Sequence, residues 1–348
     1  MFQSKVIPSF LLSPVCIFCI PFYFLILSAC SVDPDLKEDA VYTLPEGFPP
    51  LPIPDDNPIT AEKIALGKKL FFDTALSIDS AISCGSCHKQ QFAFSDDVAV
   101  SPGVEGRIGF RNAPSLANVA YYPELLKDGG TPTLETQVFV PLETHEEMGF
   151  NMVLLVERLR KDAAYVQEYN AVFGGEIQPF GIVRAIAAYE RTLLSGYSAY
   201  DAYLQGDNHA LNASEKNGMQ LFFSDRLGCG NCHNGFLLTD NSYQCDGYFS
   251  DYTADPGRER ITFDPADIGK FRVPTLRNIA LTAPYMHDGS VASLEDIIDT
   301  YAVGGSGFEN QSTLIQPFTL TNEERTDLIS FLVSLNDYTF ISDPEFAP

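Results

Sequence analysis

Two pentapeptides, Cys84-Gly85-Ser86-Cys87-His88 and Cys229-Gly230-Asn231-Cys232-His233, constrain this 348-residue chain more than anything else in it. Each separates two thiols by two residues and sets an imidazole directly after the second. That pattern ties a porphyrin to a polypeptide through two thioethers and offers its iron a proximal histidine. A C-x-x-C pair alone would equally serve zinc, an iron–sulfur cluster or a redox disulfide. The adjoining histidine, present twice, selects two covalently bound haem c groups, at Cys84, Cys87 and His88 and at Cys229, Cys232 and His233. Each haem needs its own shell of residues, and the 145 positions between Cys84 and Cys229 favour two domains.

The N-terminus points to export. Residues 1–29 carry one charge, Lys5, ahead of an apolar run from Phe10 to Leu27 and the sequence Leu27-Ser28-Ala29-Cys30. This reads as a lipoprotein signal peptide in which Cys30 becomes the lipidated first residue; an uncleaved membrane anchor is the alternative. Either way the body faces an extracytoplasmic compartment, expected to be the periplasm, lipid-anchored to a bacterial membrane. Of the eight cysteines, Cys16 and Cys19 lie in the signal, Cys30 at its boundary and four in the haem motifs. Cys245 is left over, and burial is expected for it. Beyond residue 29 the chain keeps 46 acidic and 21 basic residues, a net charge of −25. Such a field disfavours nucleic acid and suits encounter with a basic protein such as a small cytochrome c, although solubility alone would also account for it.

Residues 30–59 read as a tether rich in proline, with Pro45, Pro49, Pro50, Pro52, Pro54 and Pro58. Helical patterning begins behind Thr60 as an N-cap, with Ile64, Leu66, Leu70 and Phe71 as its apolar residues. Further helices are expected at Met152–Arg160, Asp162–Phe173, Pro179–Leu194, Ala213–Phe223 and Ser293–Tyr301, and after the capping box at Thr321–Glu324. The stretches Ser95–Pro114 and Lys127–Thr144 read as long loops, which in a compact domain usually have a function. The expected fold is mainly α, two cytochrome c-like haem domains with long connecting loops, at 60–211 and 212–348.

From about Ile64 to Leu335 the chain resembles the bacterial di-haem cytochrome c peroxidase family, including its branch typified by a methylamine-utilisation enzyme that oxidises tryptophans of a partner protein. The resemblance rests on Leu66-Gly67-Lys68-Lys69-Leu70-Phe71-Phe72-Asp73, Arg111-Asn112-Ala113-Pro114-Ser115-Leu116, Glu147-Met148-Gly149, Glu190-Arg191-Thr192-Leu193, Val273-Pro274-Thr275-Leu276-Arg277-Asn278 and Leu281-Thr282-Ala283-Pro284-Tyr285-Met286-His287-Asp288-Gly289, together with both haem motifs. It implies that the first haem is peroxidatic and the second transfers electrons. It further implies that Glu147 is the acid–base group over the open iron, that Gln137 holds the peroxide, and that Pro141 shapes the apolar part of the pocket. One calcium is implied between the domains, on the Asn112 side chain and the carbonyls of Thr282 and Pro284; oxygen-only ligation suits that ion.

Three positions depart from the usual family pattern. Many of its peroxidases block the first iron with a histidine sixteen residues after the proximal one; here that place is Val104, and no histidine lies between His88 and His145. The expected first haem is therefore open without reductive activation. The usual methionine ligand of the second iron falls on Tyr301, fourteen residues after His287, as in the tryptophan-oxidising branch. Tyr301 is preferred to the neighbouring candidate Met286, and a phenolate should lower the potential relative to a thioether. The interhaem tryptophan falls on Lys127, and the chain contains no tryptophan.

The expected activity is reduction of hydrogen peroxide to water with electrons from a small cytochrome c or cupredoxin. A peroxide-dependent oxidase of a protein or organic substrate and a non-catalytic di-haem electron-transfer cytochrome are the alternatives. A second copy of the chain is a further expected partner, as a homodimer.

Overall fold

Helix starts in this chain are written by side chains that can replace a missing backbone acceptor. The Thr60 hydroxyl accepts from the Lys63 N–H at 3.2 Å, the Asp162 carboxylate from Ala164 at 2.8 Å, and Thr321 and Glu324 close a reciprocal capping box. The computed structural model describes residues 41–348. The expected signal peptide, Cys16, Cys19 and the lipidation site Cys30 lie outside the described residues. Helices occupy Ala61–Phe72 (α1), Cys84–Cys87 (α2), Leu134–Glu143 (α3), Met152–Leu159 (α4), Ala163–Phe173 (α5), Pro179–Glu190 (α6), Ala199–Leu204 (α7), Ala213–Phe222 (α8), Glu259–Thr262 (α9), Leu294–Ala302 (α10) and Asn322–Val333 (α11). Among the described residues, strand is confined to a two-residue antiparallel ladder, Tyr243–Gln244 (β1) against Phe271–Arg272 (β2). The fold is mainly helical.

Residues 41–348 form one compact unit that contains two apolar clusters. The first is built on α1, α3, α4, α5 and α6, and includes Leu66, Leu70, Phe71, Leu142, Leu155, Ile182 and Ile186. The second is built on α8, α10 and α11, with Phe222, Ile298, Leu328, Phe331 and Leu332, and it takes in Tyr200 and Leu211. Leu237 and Phe340, far along the chain, pack into the first. The proline-rich stretch before α1 has no regular element but is held to the body, with Leu51 buried and the Asn57 amide donating to Glu135 at 2.6 Å.

Both clusters use the same helix pairing. A Cβ on Gly67 of α1 would stand 1.8 Å from the Ala185 carbonyl of α6, and a Cβ on Gly218 of α8 would stand 1.9 Å from the Asp327 carbonyl of α11. Only glycine permits backbones to approach so closely.

Two expectations of the sequence need correction. Lys127–Thr144 is not all loop, since its second half is α3, opened by Thr133 and containing Pro141. Proline is unfavourable in a helix interior, so the local sequence does not announce α3. The helix begun at Pro179 ends at Glu190 and does not reach Leu194. Past Glu190 the backbone is drawn elsewhere: Arg191 forms a buried ion pair with Glu135 at 2.7 Å, and the Leu193 carbonyl accepts from the Asn118 N–H at 2.8 Å. Cys245 is fully buried, as expected.

A repeat runs through the two clusters at an offset of 160 residues. Ser115 and Thr275 each donate to a carbonyl of the segment after a haem motif, at Ala93 and Leu237, and each accepts from the N–H two residues on. Asn118 and Asn278 both adopt left-handed backbone, with φ of 59° and 62°. Leu125 pairs with Thr131 as Tyr285 pairs with Val291. Thr133 caps α3 as Ser293 caps α10.

Candidate haem sites

Each attachment motif is a single helical turn that returns its histidine to the start of the turn: the His88 N–H donates to the Cys84 carbonyl at 2.9 Å and the His233 N–H to Cys229 at 3.0 Å. The glycine between the cysteines is needed for space, because a Cβ at Gly85 or Gly230 would meet the ring of Phe72 or Phe223 at 2.4 or 2.7 Å. The imidazoles are oriented alike. His88 Nδ1 lies 2.8 Å from the Phe94 carbonyl and His233 Nδ1 lies 3.2 Å from the Leu238 carbonyl. A carbonyl only accepts, so Nδ1 carries the proton and Nε2 keeps its lone pair, the state an iron requires. Burial lowers both imidazole pKa values, which also favours the neutral ring.

The first motif opens on a cavity of about 440 Å³ lined by Cys84, Cys87, His88, Gln137, Pro141 and Glu147. All six expected residues of the first site are thus brought together. Gln137 and Pro141 are one helical turn apart on α3 and line the cavity from the same face. Proline has no N–H to give the Gln137 carbonyl four residues back, so α3 forgoes one of its own bonds where it faces the cavity.

Glu147 lies in the turn after α3. Its carbonyl accepts from the Val104 N–H at 2.9 Å, while its own N–H donates to Thr144 at 3.0 Å. A Cβ on the adjoining Gly103 would stand 1.9 Å from the Glu146 carbonyl. Val104 therefore clamps the backbone that presents Glu147. Glu147 lines the cavity and is exposed, yet desolvation and the charge of Glu146 hold its carboxyl above the ordinary glutamate range. His145 has a side chain 70 % exposed beside Glu146 and is not part of the cavity wall.

The cavity fits a large group with both apolar and anionic parts. Among the described residues, five have buried side-chain atoms without a hydrogen-bond partner, and three of these line this cavity: Thr131 through Oγ1, Glu190 through Oε2, and Arg272 through Nε and Nη1. Burial lifts the Glu190 carboxyl to about 8. It also raises the Cys84 thiol, and it raises Cys229 to about 11. No group of three or more His, Cys, Asp or Glu among the described residues is arranged to hold a metal ion.

Around the second motif, Tyr301 is placed on α10, eight residues after its cap Ser293. Burial, then the charge of Asp246 and the nearby Cys229 and Cys232 thiols, raises its phenol pKa. Only a strong positive charge would make it an anion there. Met286 has left-handed backbone with φ of 73°, and its carbonyl accepts from Lys127 Nζ at 3.3 Å. His287 is stacked on Phe271, with ring centroids 4.1 Å apart, and His209 lies on the exposed Asp207–Ala210 turn. The Asn112 N–H donates to the His287 carbonyl at 2.8 Å, which brings the Arg111–Asn112 segment against the stretch containing Thr282 and Pro284.

Lys127, Arg272, Thr131 and Glu190 also line the cavity, and no local sequence pattern marks them for that place. For Arg272 the signal is the repeat: once Pro114 is aligned with Pro274, Arg272 corresponds to Asn112, and both line this cavity.

The family model for di-haem cytochrome c peroxidase matches residues 61–209. A cytochrome-c peroxidase, IdrP1, of Pseudomonas sp. (strain SCT) is 37% identical over 83% of this chain and 84% of its own length. The chain belongs to the di-haem cytochrome c peroxidase family. It is an oxidoreductase of that family and carries two haem c groups. The methylamine utilization protein MauG of Methylorubrum extorquens is 36% identical over 82% of this chain and 81% of its own length. Among solved structures, a MauG-like protein associated with microbial copper homeostasis superposes with a TM-score of 0.83 at 38% identity, over 88% of this chain and 98% of that one. The di-haem peroxidase BthA from Burkholderia thailandensis, at 24% identity and a TM-score of 0.70 over 82% of this chain and 88% of that one, shares the fold.

Proposed function

We propose that this family member reduces hydrogen peroxide to water at the His88 site, taking two electrons through the His233 site from a small cytochrome c or cupredoxin in the periplasm. The observation that carries this reading is the convergence of Gln137, Pro141 and Glu147 on the cavity that holds Cys84, Cys87 and His88. A haem bound there supplies an iron that accepts the peroxide and an electron reservoir for breaking its O–O bond. The protein has to move a proton. Glu147 takes it from the oxygen nearer the iron and returns it to the oxygen that leaves as water, a task for a carboxylate whose raised pKa lies closer to neutrality. Gln137 orients the peroxide by hydrogen bonding, and Pro141 offers no competing polar group.

Glu147→Gln should slow peroxide consumption by about 10²–10⁴-fold while both haems stay attached. Unchanged rates in stopped-flow spectra would remove the role. The wild-type rate should fall with falling pH at a value above the 4.5 of an ordinary glutamate, and the substitution should abolish that limb.

Tyr301 beside Cys229 and Cys232 favours a second reading, a peroxide-dependent oxidase of a protein or organic substrate. Rapid turnover with reduced cytochrome c supports the first reading, and an oxidised state that such donors discharge poorly supports the second. A ferric spectrum with no high-spin component, together with indifference to peroxide, would leave only electron transfer.

The same reading divides the body at 60–211 and 212–348, a haem to each, joined to a bacterial membrane through lipid on Cys30, with homodimer formation as a further element. It assigns one calcium to Asn112, Thr282 and Pro284. In support, neither Asn112 Oδ1 nor the carbonyls of Thr282 and Pro284 accept a hydrogen bond from any described residue. Equilibrium dialysis with calcium and metal analysis of the purified protein would decide its stoichiometry.

A further inference from the structure

We propose that Lys127 and Arg272 form the anchor for the propionate carboxylates of the first haem, one cation for each. The cavity wall carries four cations, and they are not alike. Arg111 is spent on neighbours, forked onto Asp255 at 2.7 and 2.8 Å and bonded to Asp128 at 2.7 Å. Arg260 stands 3.9 Å from Asp128. Among the described residues, Lys127 Nζ has only the Met286 carbonyl, at 3.3 Å, and Arg272 Nε and Nη1 are buried with no partner, its guanidinium lying 4.0 Å over the Tyr122 ring. In a chain of net charge −24, two enclosed cations with no carboxylate at ion-pair distance among the described residues are out of character, since an uncompensated buried charge is strongly unfavourable.

The pair is also built as a unit. The Arg272 N–H donates to the Lys127 carbonyl at 2.8 Å, and β2 holds Arg272 opposite Tyr243. A haem joined through its vinyl groups to Cys84 and Cys87 presents two carboxylates from the other edge of its ring. Two anions and two fixed cations match in number and charge. At the place where the family resemblance puts a tryptophan, this chain therefore has a charge that holds a carboxylate. Such a cation favours the reduced, less positive iron and raises the reduction potential of that haem.

The inference rests on a haem at Cys84 and Cys87 and not on peroxide chemistry. The test uses the full-length holoprotein with Lys127→Met and Arg272→Gln, singly and together. It counts haems by the pyridine haemochrome, measures each potential by spectroelectrochemistry and records propionate bending modes by resonance Raman. Expected are two haems per chain, a lowered potential and shifted propionate modes for the first haem, and an unchanged second haem. Lys127→Arg and Arg272→Lys should restore both signals. Two haems with unmoved potential and modes would overturn the anchor, and a diffusible carboxylate such as formate perturbing the wild-type spectrum but not the variants would reassign the cations to it. One haem in the wild-type chain would remove the attachment reading itself. Should Arg272→Gln not accumulate, Lys127→Met decides, with Lys127→Arg as its charge-retaining control.

Discussion

Between residues 113 and 143 and again between 273 and 302, the chain runs the same course: a proline, a hydroxyl that ties down the segment after the haem motif, a left-handed asparagine, a short bridge, then a capped helix. The two courses differ in what that helix presents. Counting from the caps Thr133 and Ser293, Gln137 of α3 corresponds to Ile297 of α10, and Pro141 corresponds to Tyr301. The first helix thus shows an amide and a ring without polar atoms, and a carboxylate follows in the next turn. The second shows an aliphatic residue and a phenol, and runs on into Gly304-Gly305. Under the proposed function, one scaffold accommodates a reactive centre and an electron store, and the choice is made at a few positions of one helix.

If those positions make the difference, exchanging them should exchange the behaviour. Pro141→Tyr is expected to have the largest effect: the first haem loses its high-spin signal and its reaction with peroxide falls by at least ~100-fold. The reciprocal Tyr301→Pro should give the second haem a high-spin component, and persistence of the wild-type spectrum in both variants would break the equivalence. Next in size is the packing that the halves share. Gly67→Ala and Gly218→Ala each force a methyl against a carbonyl of the partner helix and should cost about 1–3 kcal/mol or more, read as lowered midpoints in chemical denaturation. A cost at only one would make that half the tighter one.

Tyr301→Met should raise the potential of the second haem, within the roughly 0.8 V range that axial ligands command, with the first haem little affected. Equal shifts in both would show that the two sites are not separable. The smallest effect concerns Glu190, which has no partner in the repeat. Its folded-state pKa of about 8 exceeds the ordinary 4.5, so its contribution to stability is full below pH 4.5 and lost as pH rises toward 8. Glu190→Gln should flatten the thermal midpoint across that window, and an identical pH profile would assign the slope to other groups.

Much of this arrangement is legible in the sequence because it is local. The caps Thr60, Asp162 and Thr321 each announce a helix that forms where the hydroxyl or carboxylate stands, and the C-x-x-C-H turns contain their own thiols and imidazole. The parts that are not legible depend on contacts distant in the chain. Pro141 hides α3 because its cost is local while its use, lining a cavity, is tertiary. The end of α6 is decided by Glu135 and Asn118 from other segments. Arg272 looks like a surface cation until β2 carries it 145 residues back to Lys127. The repeat itself is obscured because His88 and His233 stand 26 and 41 residues before their prolines, Pro114 and Pro274.

The corresponding asparagines of the two courses meet at one residue. Asn118 donates to the Ser195 carbonyl at 2.8 Å and Asn278 to the Ser195 hydroxyl at 2.9 Å, and that hydroxyl donates to Asp337 at 3.1 Å, all four residues being almost wholly buried. Unpairing any member would strand a polar group at about 1–3 kcal/mol. Each half is therefore free to drift in the residues around its own iron while a shared keystone preserves the alignment of the two, so that substitutions at α3 or α10 can retune one centre without moving the other.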